Sequence, residues 1–226
     1  MRSQSPAQIY NSHLRAHGQD GSHRIYATFN FEEHISPDRK PFGQLLVLND
    51  ETLAPETTLK RTLHKKESII IIPLVGALEY DLEGDEKQAM IPGEAWIVPS
   101  AENSISVRNP YDDELVNFLY LAFSAPLSAT IPVVEIKLEE GNILHPFAGN
   151  FGGLFCYMGI YDSRKEDIYK VRRSGHGLFV FVINGAFEVS GRLLEERDGL
   201  ALWNVEETDF EALSDNAILL VIEVPL

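Results

Sequence analysis

The chain has a single cysteine, Cys156, so no internal disulfide can form and nothing in it calls for an oxidising compartment. Set in the apolar stretch Leu154 to Met158, that cysteine reads as a buried, inert thiol rather than a nucleophile. No apolar run approaches the roughly 18 residues that a membrane-spanning helix needs, and the opening MRSQSPAQIY lacks the apolar centre of a signal peptide. The expectation is a soluble, cytoplasmic protein without membrane contact. Positive charge is also in short supply, with 19 Lys and Arg against 34 Asp and Glu and a formal charge of -15. Such a surface repels phosphate backbones, which argues against direct nucleic-acid binding. Two basic patches break the trend, Lys60, Arg61, Lys65 and Lys66, then Lys170, Arg172 and Arg173. Neither is interleaved with aromatics as single-strand binders require, so both read as solvated strand ends. Helical periodicity is missing too; only Pro6 to His17 could wind into a turn or two.

What the chain does have is short apolar stretches rich in Ile, Val, Phe and Tyr, each closed by turn residues. They include Gln44–Leu48, Ser68–Val75, Ala77–Leu82, Ala95–Val98, Leu115–Phe123, Leu178–Ile183, Ala186–Val189, Gly199–Trp203 and Ala217–Val224. Turn signals such as Asn49-Asp50, Pro92-Gly93, Asn184-Gly185 and Asp198-Gly199 punctuate them. The class is all-β. With 226 residues the chain has room for one large domain or two of about 100 residues. An internal echo selects two: Leu74-Val75-Gly76-Ala77-Leu78-Glu79 resembles Ile183-Asn184-Gly185-Ala186-Phe187-Glu188. Each copy is followed by a Gly-led strand carrying Trp96 or Trp203, then by a long closing strand. Two stacked copies of one barrel-like unit follow, residues 1–125 and 126–226, with Ser124 to Ser128 as linker.

At this level the sequence resembles the pirin family, whose members are bicupins built from two double-stranded β-helix (jelly-roll) domains. The residues that carry the resemblance are Thr28-Phe29-Asn30-Phe31, Phe42-Gly43, Leu46 to Asp50, Leu53-Ala54-Pro55, Gly76-Ala77-Leu78-Glu79 and Ile91-Pro92-Gly93-Glu94. The second half matches by its hairpin pattern and its Asn184-Gly185 and Asp198-Gly199 turns. The resemblance implies a His-x-His and a His-x-Glu pair that hold one iron-type ion in the N-terminal cup. Carried over by position, the first pair falls on Thr62 and His64 and the second on Ser106 and Arg108, so three of four ligands are absent. Hydroxyls are poor Fe(II) ligands, one imidazole cannot hold the ion alone, and Arg108 is permanently cationic. A guanidinium about 4 Å from a cation is repelled by roughly 1 to 4 kcal/mol. The remaining histidines, His13, His17, His23, His34, His145 and His176, are scattered through polar or loop-like segments. No metal and no other cofactor is expected.

A cup of Thr62, His64, Lys66, Ser106 and Arg108 would change sign and suit a small anionic or polyphenolic ligand, held without redox chemistry. The competing expectation is that Arg108 pairs with an acidic neighbour and plugs the cup. The resemblance also implies a quercetin 2,3-dioxygenase-like activity as the alternative, and an adaptor role toward a protein partner. The motifs of serine hydrolases and P-loop proteins are missing. The reading favours a non-catalytic binding or regulatory protein that could pair as a homodimer.

Overall fold

The computed structural model describes residues 5–63, 66–82, 85–99, 104–124 and 131–226, with side chains at all but 131, 132, 150 and 151 of these. Among the described residues are strands and two single-turn 3-10 helices but no α-helix, and no helix is long and apolar enough to cross a membrane. The expected all-β class is what the chain adopts. In chain order the strands are β1 (Ala7–Tyr10), β2 (Ala16–Gln19), β3 (His23–Ala27), β4 (Leu45–Leu53), β5 (Thr58–Thr62), β6 (Ser68–Val75), β7 (Leu78–Leu82), β8 (Gln88–Met90), β9 (Glu94–Val98), β10 (Ser104–Arg108) and β11 (Val116–Phe123). They continue with β12 (Ile131–Glu135), β13 (His145–Phe151), β14 (Leu154–Tyr161), β15 (Glu166–Lys170), β16 (His176–Asn184), β17 (Phe187–Val189), β18 (Arg192–Leu194), β19 (Gly199–Leu202), β20 (Glu207–Ala212) and β21 (Ala217–Pro225).

The chain divides into two compact units. The first comprises Ala16–Pro41 and Leu45–Glu135; the second comprises Met1–Arg15, Phe42–Gln44 and Ile136–Leu226. The expected division at residue 125 differs in giving the whole N-terminal stretch to the first half. The tract Pro6 to His17 does not coil as the sequence suggested. It forms β1, the 3-10 turn Ser12–Leu14 and the start of β2, and β1 pairs antiparallel with β19. Burial decides this: Tyr10 is 4% exposed and packs its ring 5.4 Å from Phe179. The expected linker falls mostly outside the described residues.

In the first unit a seven-stranded sheet, β12-β9-β6-β11-β4-β3-β2, packs on a four-stranded sheet, β5-β10-β7-β8. Strand alternation sends one set of side chains inward. Leu53, Ile69, Ile71, Leu78, Trp96, Ile105, Val107, Val116 and Phe118 form the resulting core. The second unit repeats the plan with a six-stranded sheet, β1-β19-β16-β21-β14-β13, and a four-stranded sheet, β15-β20-β17-β18. Its core holds Tyr161, Leu178, Val180, Phe187, Leu200, Phe210, Leu219 and Val221. The echo seen in the sequence is structural: Gly76 and Gly185 both turn with φ of 77°. A Cβ on Gly76 would meet Val116 at 2.8 Å, and one on Gly185 would press on Ser214 and on Ala217, the residue that opens β21. Each turn thus fits against its unit's closing strand, which only glycine allows at that φ. Gly185→Ala is expected to destabilise the chain by about 1–3 kcal/mol through strain and overlap, read as a lowered urea midpoint.

Candidate functional site: the interior of the first barrel

Register fixes which residues of β5 and β10 look inward. β10 pairs antiparallel with β5, setting Ile105 opposite Arg61 and Val107 opposite Leu59, with Ser106 opposite Lys60 and Arg108 opposite Thr58. Ile105 and Val107 belong to the core, so Leu59 and Arg61 share the interior face. Thr62, Ser106 and Arg108 lie on the opposite face of these strands. Thr62 is exposed, and Ser106, although little exposed, stands opposite Lys60 and Asp81. Lys66 is exposed with φ of 75°, and His64 lies outside the described residues. Arg108 does find an acidic neighbour: its Nη1 donates to Glu79 Oε2 at 2.9 Å across the β10–β7 pair. That ion pair sits on the outer face, since Leu78 and Tyr80 on either side of Glu79 are the core residues, and it closes no cup. One residue of register separates the two faces, and the alternation Leu59, Arg61, Leu63 carries the signal for the inward one.

The interior holds a different polar set. Glu51, on β4 and fully buried, accepts from Arg61 Nη2 at 2.8 Å and lies 2.8 Å from His23 Nε2, both at Oε2. Its Oε1 accepts from Asn49 Nδ2 at 3.2 Å. The Arg61 guanidinium lies 4.2 Å from the centre of the Tyr120 ring, a cation–π contact, while its Nη1 is buried without a hydrogen-bond partner. Burial raises the carboxyl pKa of Glu51, but the His23 hydrogen bond and the Arg61 charge outweigh it and hold the group below the usual carboxylate value. Burial likewise pushes the Tyr120 hydroxyl up. Sequence reasoning missed this set because it ended the strand at Leu48 and took Arg61 for a solvated strand end.

This donor set does not fit an iron-type ion. Inward positions on β10 are aliphatic, the inward cation on β5 is already engaged with the carboxylate, and an ion bound at Glu51 would compete with a guanidinium 2.8 Å away. Among the described residues no group of three or more His, Cys, Asp or Glu side chains is placed to hold a metal. Cys156 is fully buried, and burial pushes its thiol well above the ordinary value, which leaves it no nucleophilic role.

Comparison with known proteins agrees with the architecture. Residues 154–224 match the family described as the quercetinase C-terminal cupin domain. A protein named quercetin 2,3-dioxygenase from Escherichia coli strain K12 is 24% identical over 220 residues, covering 91% of this chain and 94% of its own length. Among solved structures, YhhW from Escherichia coli superposes with a TM-score of 0.84 at 18% identity, covering 97% of this chain and 98% of that one. Quercetin 2,3-dioxygenase from Acinetobacter baumannii gives a TM-score of 0.70 at 16% identity, covering 96% of this chain and 85% of that one.

Two substitutions separate the inner and outer faces. Glu51→Gln leaves Arg61 and His23 buried around a neutral amide and is expected to cost about 3 kcal/mol at neutral pH, whereas Arg108→Ala on the half-exposed pair costs under about 1 kcal/mol. Because the folded pKa of Glu51 is depressed, its stabilisation is complete above the unfolded value of about 4.3 and is lost as pH falls through the folded value. Urea midpoints measured from pH 7 down to 3 are expected to drop less steeply below pH 4.3 for Glu51→Gln than for the native chain. Residues 154–224 thus match a quercetinase C-terminal cupin family, and the chain as a whole has the fold of the solved bacterial pirin YhhW.

Proposed function

We propose that this chain is a bicupin whose first barrel works without a metal ion, as a binding or regulatory protein for a small anion rather than as an oxygenase. The observation that carries the reading is the pairing of Arg61 with Glu51 in the barrel interior, opposite aliphatic Ile105 on β10. Two engaged charges and two aliphatic side chains supply no open set of donors for an ion that must also bind substrate. The buried, unbonded Nη1 of Arg61 supports the anion: a carboxylate there would complete the guanidinium's hydrogen bonds. A polyphenol ionised at one hydroxyl fits the same chemistry. This reading moves the ligand-binding role from Arg108, which pairs with Glu79, to Arg61. Docking to a protein partner and assembly as a homodimer belong to the same regulatory reading, and light scattering reads the latter.

The second reading is a dioxygenase acting on quercetin, and the names of the relatives favour it. The two readings separate on protein made without a polyhistidine tag or chelator. Mass-spectrometric metal analysis before and after addition of Fe(II), Mn(II), Ni(II), Cu(II) or Zn(II) is expected to find no stoichiometric ion, and quercetin is expected to cause no oxygen uptake. A retained equivalent of metal accompanied by quercetin-dependent oxygen consumption would establish the dioxygenase instead.

A further inference from the structure

The second basic patch, Lys170, Arg172 and Arg173, reads from the sequence as a solvated strand end. In the second unit it borders a cavity of about 540 Å³ whose lining includes Lys170, Arg172, Tyr157, Tyr169, Leu144 and Val171. Tyr157 and Tyr169 meet edge to face at 5.1 Å, and the Arg172 guanidinium lies 5.7 Å from the centre of the Tyr157 ring. In a chain with 34 carboxylates, Arg172 and Lys170 have no acidic side chain in ion-pair reach among the described residues. Asp167 also borders the cavity, but it accepts from the Tyr161 hydroxyl at 2.9 Å and from the Ile168 N–H at 2.7 Å.

The segment that carries Arg172 is fixed from beneath. Glu223, fully buried on β21, accepts from the backbone N–H of Arg172 at 2.8 Å, the N–H of Arg173 at 3.1 Å and the Tyr169 hydroxyl at 2.7 Å. His176 Nδ1 lies 2.9 Å from its other face, within ion-pair distance but not aligned as a hydrogen-bond donor. Burial, followed by the bond to Glu223, pushes the Tyr169 hydroxyl up, so it remains a donor. Backbone and side chain at Arg172 therefore have separate roles: the N–H anchors the loop, and the guanidinium is left at the cavity.

We propose that this cavity is a binding site for a small aryl carboxylate. The ring lies against Tyr157 and Tyr169 beside Leu144 and Val171, and the carboxylate pairs with Arg172, with Lys170 adding charge. A volume of this size admits a one-ring ligand. The assignment does not depend on how the first barrel functions.

The test is calorimetric titration of the full chain with benzoate, and with benzamide, which keeps the ring and lacks the charge. Saturable benzoate binding is expected, with benzamide weaker by about tenfold or more. Arg172→Met is expected to weaken benzoate by a similar factor at an unchanged thermal midpoint, because the N–H that serves Glu223 is retained. No saturable benzoate binding, equal affinity for benzamide, or native affinity in a folded Arg172→Met variant would each overturn the site.

Discussion

A carboxylate without solvent, Glu51, governs what the interior of the first barrel can be. Removing a charge from water costs several kcal/mol, and the fold meets that cost with a guanidinium, an imidazole and an amide gathered from β5, β3 and β4. Those partners are thereby held at the carboxylate, and the buried Nη1 of Arg61 is left without a hydrogen bond. The second unit solves the same problem differently. Glu223 is equally buried, but its partners are two backbone N–H groups, a tyrosine hydroxyl and His176. One unit uses its arginine inside; the other uses peptide groups and leaves its arginine side chain at a cavity.

Much of the architecture was legible because period-two alternation and turn chemistry are strong local signals. Ser68–Val75 is both the stretch read from sequence and the strand observed, and the Gly76 and Gly185 turns hold the same φ. Two things were not legible. Tract Pro6 to His17 has weak local preference, so its fate was set by the distant partner β19. Register was the other: motif positions placed Thr62, Ser106 and Arg108 toward the cup, while the alternation of Leu59 with Leu63 and of Ile105 with Val107 turns the intervening residues outward. A shift of one residue exchanges every side chain between faces.

Charge near apolar sequence misled at Arg61, whereas Lys170, Arg172 and Arg173 are exposed as read, with Arg172 also bordering a cavity. Arg61 and Arg172 stand among other cations, which suggests solvent. Yet Arg61 lies over Tyr120 beside Glu51, and Arg172 lies over Tyr157 beside a cavity. An arginine can cover an aromatic face with its planar head while neighbouring lysines stay in water. Only the residues across the sheet, far off in sequence, tell the two situations apart.

The pairing of β1 with β19 also orders events in time. Ala7 through Tyr10 are synthesised before residues 199–202, yet their hydrogen-bonding edge exists only once those residues have been made and laid beside β16. β1 is thus made well before the partner on which it docks. Until it does, the flank of β19 is an open template for strand addition, which makes β1 the guard of an edge built much later in synthesis.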